Sequence, residues 1–125
     1  MVIETRKLTK RYRDVMAVDG LDLTVGKGSV TALLGGNGAG KTTTLSMLLG
    51  LLTPTSGGIH IFGEDFVANR FPALERMNFS SPYVDLPQRL TVRENLTVYA
   101  KLYGFRHVKP IVERLAEELQ LVEFL

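Results

Sequence analysis

Gly35-Gly36-Asn37-Gly38-Ala39-Gly40-Lys41-Thr42 is the stretch on which the reading of this sequence turns. It follows an apolar run, Val30 to Leu34, and precedes Leu45, Leu48, Leu49 and Leu52 at helical spacing. The apolar run reads as a strand buried on both faces. The leucine pattern predicts a helix that continues until Thr53-Pro54 stops it. A glycine-rich turn between a strand and a helix can be a tight connection with no ligand, or a cradle for phosphate. Backbone N–H groups converge on one small volume only where side chains do not intrude, and Gly35, Gly38 and Gly40 meet that need. The helix behind them would point free N–H groups and the positive end of its dipole at the same place. Lys41 offers an ammonium to β- and γ-phosphates, and Thr42 offers a hydroxyl to Mg²⁺. The pattern is complete and sits between strand and helix, so the phosphate reading is preferred.

Working outward, Val2 to Thr9 and Met16 to Val25 read as strands, the second alternating at Leu21, Leu23 and Val25 before Gly26-Lys27-Gly28. Beyond the central helix, Gly58 to Gly63 reads as a short strand. Thr91-Val92-Arg93-Glu94 is a capping-box pattern, followed on one helix face by Val92, Leu96, Tyr99 and Tyr103 up to Gly104. Pro110 then falls where a first helical turn tolerates it, ahead of a stripe of Ile111, Val112, Leu115, Leu119 and Val122. The expected class is α/β, in one compact unit. No internal repeat or low-complexity tract interrupts it.

A chain of 125 residues with 45% hydrophobic content can bury one core. Its formal net charge of +2 is too small to imply a nucleic-acid or membrane partner. Arg6, Lys7, Lys10, Arg11 and Arg13 crowd the first strand and read as a solvated face. Cysteine is absent, which removes disulfides and thiolate metal sites. The first residues carry Glu4 and no long apolar segment, against a secretory signal. No stretch approaches the ~20 apolar residues of a spanning helix, so a membrane role is expected only through a partner.

The stretch Asn37 to Thr43 resembles the Walker A motif of ABC ATP-binding cassettes more closely than a generic phosphate loop. Leu8-Thr9-Lys10-Arg11-Tyr12 resembles the family's A-loop, Pro54 to Ile59 and Phe62-Gly63-Glu64-Asp65 its turn and strand after the central helix, and Leu90 to Leu96 the opening of its helical subdomain. The resemblance implies an incomplete P-loop NTPase core over 29–80 that takes ATP and Mg²⁺, preceded by an N-terminal antiparallel β subdomain over 1–28 and followed by the start of a helical subdomain over 81–125. Carried onto this chain, it implies ATP-binding roles for Tyr12, Val18, Gly35, Asn37, Gly38, Ala39, Gly40, Lys41, Thr42 and Thr43, with Thr42 as a Mg²⁺ ligand. Tyr12 would stack on adenine with Val18 beside the ring, although from the residues alone it reads equally well as a strand-end aromatic. The implied partners are a second cassette and a transmembrane permease, with no direct nucleic-acid contact. The implied location is cytoplasmic, at the membrane through that permease. Tyr99 to Gly104 looks like exporters of the two-component type.

The sequence departs from the family's pattern in two places. Pro82 holds the position of the Q-loop glutamine and offers no side-chain oxygen, while nearby Ser81 and Gln88 read as turn residues. After Lys41 there is also no signature loop, no apolar run ending in Asp-Glu and no switch histidine. Ser56-Gly57-Gly58 reads as a turn into a strand, His60 and His107 as structural or solvated, and Glu64 and Asp65 as a solvated turn. The chain is therefore expected to hold no catalytic residue, to bind nucleotide without turning it over, and to self-associate through an open strand edge. Two other functions fit: a non-catalytic nucleotide-binding or interaction module, and a soluble ABC ATPase acting on ribosomes or nucleic acid.

Overall fold

The computed structural model describes residues 1–81, 83 and 85–125, so Pro82 lies outside the described residues. Two compact units are formed, 1–78 and 79–125. The first is an antiparallel sheet, ordered β2-β1-β3-β4, carrying the helix that follows the glycine loop. Its elements are β1 (Ile3–Tyr12), β2 (Val15–Val25), α1 (Lys41–Leu48), β3 (Ser56–Ile61), β4 (Glu64–Asp65) and the short α2 (Phe71–Leu74).

The first two strands form a hairpin closed by Arg13-Asp14, with Tyr12 opposite Val15. Arg13 has φ 47, the sign that a tight two-residue turn requires at its first position. A bulge interrupts β1 between Thr5 and Leu8, where Lys7 also has positive φ. The extra residue turns both Thr5 and Leu8 to the buried face, which strict alternation would forbid. Thr5 is buried without penalty because its hydroxyl donates to Leu21 O and accepts from Leu23 N, both at 2.9 Å. Leu8, Val18, Met47, Leu48, Ile59, Ile61, Phe66 and Ala73 make the core between sheet and helix.

Two expectations are corrected here. Residues 30–34 are not a strand, and Val30 and Leu34 are 102% and 87% exposed. A strand exists only through a hydrogen-bonded neighbour, and no described residue forms a ladder with this run. The central helix also stops at Leu48, well before Thr53-Pro54. Gly50, at φ 68, turns the chain, and Gly50 N to Met47 O with Leu51 N to Ser46 O completes a Schellman motif.

The second unit packs α3 (Val92–Leu102) against α4 (Val108–Glu118), with a final 3₁₀ turn at Val122–Phe124. The capping box is present in full: Thr91 Oγ1 accepts from Glu94 N at 3.2 Å, and Glu94 Oε2 accepts from Thr91 N at 2.8 Å. Ala100, Val108 and Val112 form the contact, with Leu96 and Leu125 alongside. The outer parts of both expected stripes are exposed, at Tyr99, Tyr103, Leu119 and Val122. Gln120, at φ 57, ends α4 before that stripe is complete.

Candidate functional site

The glycine loop delivers the chain from β2 to the start of α1, and Gly40 is its pivot. Gly38 and Gly40 both have φ 82. A Cβ on Gly40 would lie 2.2 Å from Ala17 O, so at this point the loop rests directly on the β2 backbone. Gly40 is also the N-cap of α1, with no side-chain cap and no acid in the first turn. Thr44 N takes Gly40 O at 2.8 Å as the first helical bond. The amides of Lys41, Thr42 and Thr43 therefore face outward as donors, at the positive end of the helix dipole.

These donors open into a cleft of about 330 Å³ lined by Asn37 to Thr43 on one side and by Val15, Met16 and Ala17 on the other. An adjoining hollow of about 450 Å³ reaches Val18, Asp19, Leu33 and Leu34. The Lys41 ammonium donates to Gly35 O and, at 2.7 Å, to Gly36 O. It thus holds a positive charge on the loop's own carbonyls, beside the amides. Thr42 is exposed on the cleft wall, where its hydroxyl can join phosphate oxygens and water around a hard cation. No group of three or more His, Asp or Glu that could hold a metal occurs among the described residues. A Mg²⁺ ion would fit this site as one shared between the Thr42 hydroxyl, phosphate oxygens and water.

Of the residues singled out from sequence, Asn37 to Thr43 share one wall of the cleft, and Gly35 stands behind them against Lys41. Tyr12 does not line the cleft. It ends β1, is 47% exposed and has the Lys10 Nζ over its ring, 5.2 Å from the centroid. Val18 is only 8% exposed and belongs to the core. The facing wall, Val15 to Ala17, escaped the motif reading. The hairpin places it there, because the two-residue turn after Tyr12 sends the next strand back past the loop.

The remaining candidates have structural settings. Asp65 Oδ1 accepts from Val67 N and Ala68 N at 3.0 and 3.1 Å, so it caps a turn. Glu64 is exposed, His60 pairs across the sheet with Glu4 and Asp65, and His107 precedes α4. Ser81 Oγ accepts from Tyr83 N at 3.2 Å, and Gln88 is exposed.

Comparison with known proteins identifies the family. The family description "ABC transporter" matches residues 18–125. The chain is 44% identical over 116 residues to the bacitracin transport ATP-binding protein of Bacillus licheniformis, covering 93% of this chain and 38% of that one. It is 41% identical over 117 residues to a Nod factor export ATP-binding protein of Burkholderia lata, covering 89% and 38%. A solved ATP-binding subunit of an ABC transporter superposes with TM-score 0.79 at 27% identity, over 100% of this chain and 53% of its own. The chain thus spans well under half the length of those two relatives. Half of an ABC domain's fold, its phosphate loop included, is laid out here, and the chain belongs to the ABC transporter family of ATP-binding proteins.

Proposed function

We propose that this chain is the nucleotide-holding front part of an ABC transporter's ATP-binding subunit, of the exporter kind. The observation that carries the proposal is the cleft at the start of α1, where glycine-cleared amides, an unneutralised helix N-terminus and the Lys41 ammonium converge. Phosphates would lie against the amides of Gly38 and of residues 40–43, with Gly35, Asn37 and Ala39 shaping the loop. Lys41 would exchange its loop carbonyls for the β- and γ-phosphates. Thr42 would hold Mg²⁺, which neutralises charge on those phosphates when bound. Tyr12, with Val18 beside the ring, would receive the base. The three-part division of the chain at 28 and 80 follows from the same reading.

The cleft lining contains no carboxylate. Because no signature loop, no apolar run ending in Asp-Glu and no switch histidine follows Lys41 in the sequence, we assign this chain binding and no catalytic residue, and place ATP hydrolysis with the full-length protein. No described helix is long and apolar enough to cross a membrane. Coupling to transport would run through a permease and a second cassette, with the subunit on the cytoplasmic side. The name of one relative, a Nod factor export protein, favours an exporter.

Calorimetry with MgATP on wild type and Lys41→Ala tests the site. Hydrogen bonds to charged groups contribute about 1.5–3 kcal/mol each, so the variant should lose roughly ten- to a hundredfold in affinity. Equal affinities would overturn the assignment.

A further inference from the structure

We propose that Lys10 is a positioning residue that holds the Tyr12 ring ready to stack on a planar nitrogenous base. The inference rests on the reading of Tyr12 as the base-recognising residue and goes beyond it. Tyr12 sits next to the hairpin turn and is half exposed, so its ring has little packing to fix it. An unrestrained ring loses rotamer freedom on binding, and that loss subtracts from stacking. The Lys10 ammonium stands over the ring at 5.2 Å, within cation–π range, and restrains it before any ligand arrives.

The ammonium is itself fixed by backbone. Lys10 Nζ donates to Thr53 O at 2.8 Å, in the segment that follows α1. That segment is tied to β1 by Thr55 N to Thr9 O at 2.8 Å and by Arg11 N to Thr55 Oγ1 at 3.0 Å. Lys10 therefore refers the ring to the chain leaving the phosphate-loop helix, so that base and phosphate contacts share one frame. Removing the charge should free the ring without disturbing the amides at the start of α1.

The test is calorimetry with MgATP and with tripolyphosphate on wild type, Lys10→Met, Lys10→Arg, Tyr12→Ala and the double variant Lys10→Met/Tyr12→Ala. Lys10→Met should weaken MgATP by about two- to fivefold, the worth of one exposed cation–π contact, and leave tripolyphosphate unchanged. Lys10→Arg should restore the affinity, and the double variant should bind MgATP no worse than Tyr12→Ala. The inference is overturned if Lys10→Met leaves MgATP unchanged, weakens both ligands alike, or costs as much in the Tyr12→Ala background as in wild type. If Tyr12→Ala itself leaves MgATP affinity intact, the base-recognition reading fails and takes this inference with it. A failure of Lys10 alone leaves that reading standing.

Discussion

Gly38→Ala and Gly40→Ala form a matched pair that separates backbone strain from close contact. Both glycines have φ 82, so an alanine at either is held in the left-handed region at about 1–2 kcal/mol. Around Gly38 a Cβ meets nothing within 4 Å, whereas at Gly40 it meets Ala17 O at 2.2 Å. Contacts below 3.0 Å are essentially never seen, and the obstructing atom is backbone of β2, at a residue the register skips between Met16 and Val18, which pair with Arg11 and Lys10. The loop must therefore lift from β2 by about 1 Å, enough to spoil hydrogen bonds whose useful range spans only about half an ångström. Losing one or two charge-assisted bonds to phosphate costs roughly 1.5–3 kcal/mol each, so Gly40→Ala should bind MgATP ten- to a hundredfold more weakly or worse. Gly38→Ala should lose about 1–2 kcal/mol of stability by urea unfolding and keep most of its affinity. If the two variants match in both assays, the contact with Ala17 does not set the loop, and the cleft is not shaped by Gly40 resting on β2.

Three further outcomes are expected. Phosphate release by this chain with Mg²⁺ and saturating ATP should stay at background, and turnover abolished by Lys41→Ala would show that an acid such as Asp19, in the adjoining hollow, acts in catalysis. Light scattering should show concentration-dependent association through the exposed run at 30–34, relieved by Val30→Lys with Leu34→Lys, and a stable monomer at high concentration would refute this. The Glu94 carboxyl is held below its ordinary 4.5, first by the Thr91 backbone N–H and then by the Thr91 hydroxyl. The capping box should therefore survive above 4.5 and be lost only as pH falls through the lowered folded value. A carboxyl titration midpoint by NMR at or above 4.5 would contradict that.

Features specified by residues close in sequence were legible. Thr91 and Glu94 announce the start of α3, Gly104 its end, and the glycine loop its own helix, because each depends on a local backbone geometry. What escaped was set by distant partners. Leu49 to Leu52 continue a helical pattern although the helix has ended, and Leu52 still packs on the core from the following turn. Ala100 and Ala116 carry little hydrophobic signal, yet both are buried, Ala100 at the contact with α4. Val15 to Ala17 became a cleft wall only through the hairpin that folds them back. The apolar run 30–34 records a need for cover and does not say what provides it.

That run also bears on how the loop is held. On its far side the loop is anchored by Gly40 against Ala17 and by α1 in the core. On its near side, Val30 and Leu34 are exposed and no ladder among the described residues holds them, so the Gly35 carbonyl is held by the Lys41 ammonium and the Gly36 carbonyl by that ammonium together with Ala39 N. The Lys41 ammonium thus tethers the loop's entry. Lys41→Ala should loosen residues 35–36 in the nucleotide-free protein while leaving β1 and β2 protected. Two neutral-acceptor bonds to an ammonium are lost, worth roughly 1.5–3 kcal/mol each when charge-assisted, and less at this exposed site. Hydrogen exchange by mass spectrometry, comparing peptides across 33–40 with peptides from the hairpin, reads this directly. Faster exchange confined to the loop supports the tether. Unchanged exchange there would mean that backbone geometry alone holds the loop, and Lys41 would then serve only the ligand.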